Sequence, residues 1–103
     1  MNDIQQINQR LEAEWDLSTG FLGRLREGHY DPTGFLRYEQ LLRSIRLDEE
    51  KPLDRRFVAL TWYVPMFMSW QRKRIQEVTG STKELAIAIT RVENLITELL
   101  GAP

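Results

Sequence analysis

The segment FVALTWYVPMFMSWQRKR, residues 57–74, constrains this chain more than any other part of it. Wound as a helix, residues 53–78 place Leu53, Phe57, Leu60, Val64, Phe67, Met68, Ile75 and Val78 on one stripe. Ala59, Trp62, Tyr63, Met66 and Trp70 form a second apolar surface on another side. A helix that is apolar nearly all round belongs at the centre of a bundle, wrapped by its neighbours. Burial of both surfaces is therefore the expectation, because aromatic and methionine stripes are usually core. The alternative leaves the second surface bare for a partner, since Trp, Tyr and Met are favoured in interface cores. Pro65 cannot donate to the carbonyl of Thr61 and its ring crowds that turn, so a kink is expected near Pro65. A membrane span is not expected: the apolar run is about 14 residues where about 20 are needed, and Thr61, Pro65 and Ser69 interrupt it.

The rest of the chain supplies helices to surround that spine. Ile4, Ile7, Leu11 and Trp15 fall at helical spacing and predict a first helix from about Asp3 to Trp15. Ser18 reads as the cap of a short second helix, with Leu17 and Leu22 as its hydrophobic staple and Phe21, Leu22 and Leu25 facing inward. Gly20 and Gly23 weaken that helix by about 1 kcal/mol each relative to alanine, so it needs tertiary packing. Gly28 terminates it. Asp31 as cap and Pro32 at the first helical position start a third helix, running to about Ile45. Its stripe is Phe35, Tyr38, Leu41, Leu42 and Ile45, and Tyr30 is placed to pack on Phe35. After Gly80, STKE reads as a capping box between Ser81 and Glu84. Leu85, Ile89, Val92, Ile96 and Leu99 then form the clean face of a last helix. No stretch alternates with the period of a strand. The fold expected is a single all-α domain, residues 1–103, built as a compact bundle of about five helices.

Composition narrows the chemistry. The chain has 14 Lys and Arg against 15 Asp and Glu, a formal net charge of −1, and so no overall attraction to nucleic acid or anionic membrane. It contains no cysteine, which excludes disulfides, thiol nucleophiles and thiolate metal sites. The polar start MNDIQQINQRLEAEW has no export signal pattern, and a cytoplasmic location is expected.

Tests for specific chemistry yield little. His29 is the one histidine, and although Glu27, His29 and Asp31 are close in sequence, capping and termination explain Asp31 and Gly28 better than a metal does. The acidic groups Glu12, Glu14 and Asp16, and Asp48, Glu49 and Glu50, are consecutive rather than set across a cleft, as acid–base catalysis requires. No Gly-rich phosphate loop is present. TGSTKELAIAI resembles the first helix of a helix-turn-helix, but the apolar period continues from Leu85 to Leu100 with no turn and no recognition helix. No catalytic residue, metal or cofactor is expected.

By elimination, function should lie in a surface that binds another protein. The specific expectation is a cytoplasmic inhibitor of the bacterial immunity-protein kind, occluding a cognate toxin. Glu12, Glu14, Asp16, Asp48, Glu49 and Glu50 would meet a basic partner, and Trp62, Tyr63 and Trp70 would anchor it. The alternative is an adaptor that forms a homodimer through the Leu85–Leu99 face of its last helix. A third reading is an accessory nucleic-acid binder using Arg55, Arg56, Arg72, Lys73 and Arg74.

Overall fold

A computed structural model describes residues 3–103. The described residues are all-α: α1 (Ile4–Ala13), α2 (Phe21–Arg26), α3 (Pro32–Ser44), α4 (Arg55–Thr61), α5 (Val64–Trp70), α6 (Arg72–Thr79) and α7 (Lys83–Leu100), with no strand. Helix α1 lies beside α4, α2 beside α3, and α7 receives both α3 and α5. The helix count exceeds the five expected because residues 53–78 form three helices rather than one. Turns at 62–63 and at 71 separate them. Pro65 lies in the first turn of α5, where a missing N–H has no partner to lose.

The core gathers Phe21, Leu22, Leu25, Tyr38, Leu42, Phe57, Val64, Met68, Leu85 and Val92, all within 1 % of full burial. Each large apolar side chain buried this completely contributes about 1.5–3 kcal/mol. The stripes of α3 and α7 are those expected from spacing, with Leu99 partly buried at the margin. The spine's stripe holds from Phe57 to Ile75, but its ends do not: Leu53 precedes α4, and Val78 on α6 is 65 % exposed. Val78, three residues after the buried Ile75 on the same helix, lies about 60° round its axis from it and falls past the edge of the packed side.

The start of α2 departs most from expectation. Ser18 does not cap it. Gly20 occupies the N-cap position, and the caps come from Glu14, on the residue after α1. A Glu14 carboxylate oxygen accepts from the Phe21 N–H at 3.0 Å. Its backbone carbonyl accepts from Leu22 N–H at 2.8 Å and Gly23 N–H at 3.1 Å. Three of the four N–H groups that a helix start leaves unpaired thus meet one residue. The carboxylate, 4 % exposed as a residue, is held from the other side by Arg37, which donates through Nε at 3.0 Å and Nη2 at 2.8 Å. The glycines at the N-cap of α2 and inside it have the same origin. A Cβ on Gly20 would overlap the carbonyl of Glu14, and one on Gly23 would overlap that of Asp16.

Ser18 belongs to the turn before α2. Asp16 Oδ1 accepts from the Ser18 N–H, the Ser18 hydroxyl and the Thr19 N–H at 2.8–3.0 Å. These donors, the Ser18 N–H first, pull the Asp16 carboxyl down from 3.8 to about 2. Leu17 points out at 55 % exposure, so no staple forms with Leu22. Two other caps also differ. Asp31 is at the N-cap of α3, but its carboxylate takes Arg24 Nη1 at 2.8 Å. Ser81 Oγ accepts from Lys83 N–H at 3.2 Å, and Thr82 rather than Ser81 is the N-cap of α7. Gly28 and Gly80 follow their helices at φ 86° and 82°, the left-handed conformation that glycine adopts without a Cβ penalty.

Three outcomes test this account. Gly23→Ala should destabilise the protein by about 2 kcal/mol or more, since the Cβ meets backbone rather than a flexible side chain; a urea midpoint within error of wild type would contradict it. Tyr38 is fully buried with no partner for its hydroxyl among the described residues, so Tyr38→Phe should be neutral or stabilising by about 1 kcal/mol in the same titration. The depressed Asp16 carboxyl contributes stability that is present above pH 3.8 and is lost as pH falls toward about 2. Asp16→Asn should accordingly be less stable than wild type at pH 6, and the gap should close between those two values.

Candidate docking surface

The second apolar surface of residues 53–78 is not covered. Trp62 is 52 % exposed, Met66 44 % and Trp70 61 %, and Ala59 is open to solvent. Ala59 and Trp62, three residues apart, share a side at the end of α4, and Met66 and Trp70, four apart, share a side of α5. The ring contacts of Tyr63 with both tryptophans join the two pairs into one row. Tyr63, half-buried beside that row, holds the two tryptophans. Its ring lies 5.6 Å from Trp62 at 61° and 5.5 Å from Trp70 at 80°, both edge-to-face. Such pairs add about 0.5–1.5 kcal/mol beyond burial. The exposed rings are therefore held by neighbours, not loose on the surface.

Shape explains why no helix covers this row. The domain measures 45 × 30 × 19 Å, and helices packed about 8–10 Å apart give two layers across the short dimension. Helix α4 uses its buried side on α1 and α5 uses its own on α7, leaving one side of each in solvent. Expected burial of both surfaces is thus corrected at Ala59, Trp62, Met66 and Trp70.

A shallow hollow of about 380 Å³ lies beside the row. Ala59 and Leu60 contribute to its lining together with Trp15 and Tyr63, and Arg26, Arg56 and Glu12 complete it. Trp15 packs edge-on against Phe67, with ring centres 4.8 Å apart. The Arg26 guanidinium lies 5.5 Å from the Trp15 ring centre and 5.2 Å from that of Phe67, within range of cation–π attraction. Glu12 accepts from Arg56 Nε at 3.0 Å, so those two charges neutralise one another. Sequence reasoning missed Arg26 and Trp15 as members of this surface. Only tertiary packing brings Trp15, just past α1, and Arg26, at the end of α2, against Phe67 of α5.

The acidic candidates do not converge on the aromatic row. Glu14 is inside the domain, bound to Arg37 and the start of α2. Asp16 is committed to its own turn, and Glu12 to Arg56. Asp48, Glu49 and Glu50 are exposed on the loop before α4, with Asp48 accepting from the Glu50 N–H at 3.0 Å. That loop leads into the start of α4, whereas Trp62 follows its end, about 10 Å further along at 1.5 Å per residue. Around the row itself the charge is basic. From Arg55 to Gln76 the chain carries Arg55, Arg56, Arg72, Lys73 and Arg74 and no acidic residue.

Other concave sites offer less. A larger cleft of about 570 Å³ runs between α1 and α3 past Arg10, Glu14, Arg37 and Gln40. Its carboxylate and the Arg37 guanidinium are already paired with each other. Among the described residues no group of three or more His, Asp or Glu is placed to hold a metal, and no helix is long and apolar enough to cross a membrane. The expected dimer seam on α7 is occupied within the chain: Leu85, Ile89, Val92 and Ile96 are buried, with α3 and α5 packed on that helix. No protein-family model matches this chain, and comparison with curated proteins and with solved structures returns no match.

Proposed function

We propose that this protein is a non-enzymatic protein-binding module that docks through the Trp62–Met66–Trp70 row. The observation that carries this reading is the row's exposure combined with its order. Two tryptophans, each more than half exposed, are held edge-on by Tyr63. Rigid aromatic anchors lose little conformational entropy on binding, and Trp and Tyr are the residues most often responsible for interface energy. Isolated exposed apolar residues are ordinary, but a contiguous row of this kind marks an interaction site.

An inhibitor of the immunity-protein kind is one form of such a module. In that form, Asp48, Glu49 and Glu50 would steer a basic toxin, being the exposed acidic candidates not tied to another element. A homodimer, the other form considered, would use the aromatic row in place of the α7 face.

The test compares the wild-type protein with Trp62→Ala/Trp70→Ala. Both side chains are largely in solvent, so the double variant should keep its helix content and unfold within about 1 kcal/mol of wild type. A partner recovered from the native host in stoichiometric amount should, once purified, bind the variant at least about 100-fold more weakly, as expected for loss of two anchors. Equal affinity for both proteins would end the assignment of function to this row.

A further inference from the structure

Resting on the protein-binding reading, the chemistry around the row specifies the partner further. We propose that the row and its hollow receive an acidic protein segment in which an aliphatic or aromatic side chain stands beside Asp or Glu. The apolar side chain enters the hollow at Ala59, and its acidic neighbours meet Arg26 at the hollow's rim and Arg72 and Lys73 beyond Trp70.

Three observations lead there. The first is charge. Helices α4 to α6 carry basic residues and no acidic one between Asp54 and Glu77. Arg72 and Lys73 are exposed and make no ion pair among the described residues. Arg26 is held by rings, not by a carboxylate, and Arg74 donates to its backbone carbonyl at 3.1 Å. The acid on the hollow, Glu12, is neutralised by Arg56.

The second is relief. A bilayer surface presents no side chain to fill a concavity of about 380 Å³, whereas a peptide does. Ala59 is the small residue that leaves this space beside Trp15 and Tyr63. The third is the arrangement of cations. Arg26 and Arg56 line the hollow, whereas Arg72 and Lys73 on α6 are not part of its lining, so these cations share no single concave groove of the kind that backbone binding to single-stranded nucleic acid demands.

The test is selection of a random 12-residue peptide library displayed on phage against the intact protein, followed by titration of a selected synthetic peptide. Enriched sequences should pair Leu, Ile, Phe or Trp with neighbouring Asp or Glu. Arg72→Glu/Lys73→Glu, at exposed positions without partners, should weaken the peptide about tenfold at 50 mM salt and less at 500 mM. Ala59→Trp, which fills the hollow, should weaken it at both salt concentrations. Circular dichroism of each variant separates these effects from misfolding. Enrichment of basic or uncharged sequences, or no enrichment, overturns the proposal. So does binding to vesicles of phosphatidylcholine with phosphatidylserine, or to oligo(dT), in place of peptide. If the library shows no acidic preference while Trp62→Ala/Trp70→Ala still abolishes binding of a host partner, the docking row stands and its charge assignment falls.

Discussion

Glu14 is the residue on which the arrangement of this domain turns. Its carboxylate and carbonyl together receive the first three N–H groups of α2, and Arg37 of α3 closes on the same carboxylate. Removing the side chain would leave the buried Phe21 N–H without its acceptor while the Glu14 carbonyl still receives Leu22 and Gly23. Arg37, half exposed, would turn to solvent, so the loss falls below the cost of breaking a fully buried pair, about 3–5 kcal/mol. The bond also has a distant effect. It fixes Trp15, the next residue, and Arg26, at the end of α2, against Phe67 of α5. The segments that Glu14 joins thus also supply Trp15 and Arg26 to the lining of the hollow beside the aromatic row.

That dependence joins core and surface. In a domain two helix layers thick, the most apolar segment cannot be enclosed, whatever its composition favours. The chain places Phe57, Val64, Phe67 and Met68 inside and leaves Trp62, Met66 and Trp70 outside. Two of the exposed members, Trp62 and Trp70, offer large rigid contact areas with only two rotatable bonds each. Charge is uneven along the chain as well, with five cations and no acid from Arg55 to Gln76 and an exposed acidic run, Asp48 to Glu50, on the loop before α4. A net charge of −1 conceals that division.

Much of the fold was legible in the sequence, because helical periodicity reports burial wherever a helix is continuous. The stripes of α3 and α7, the inward set Phe21, Leu22 and Leu25, and the stops at Gly28 and Gly80 all follow from spacing and glycine chemistry. What spacing does not carry is a hydrogen bond between residues far apart in sequence. Ser18 is placed as a cap should be, yet the cap is Glu14, and nothing local separates Glu14 from its neighbours Glu12 and Asp16. The same limit applies to the site. Trp62, Tyr63 and Trp70 could be named from composition, but their exposure depends on how many layers surround them. Arg26 and Trp15 join them only through tertiary packing. Val78 shows a further limit, since spacing does not say how far round a helix its packed side extends.

The chain has three tryptophans, and Trp15, Trp62 and Trp70 all lie on or beside the aromatic row. None belongs to the fully buried core. Intrinsic fluorescence of this protein consequently reports one face. Its emission in the free state is weighted toward indoles in water, and global unfolding changes their surroundings less than it would for a buried indole. Covering the face moves them from water into an apolar contact. The molecule thus contains an optical probe at its own docking surface, without a label and with little background from the rest of the fold.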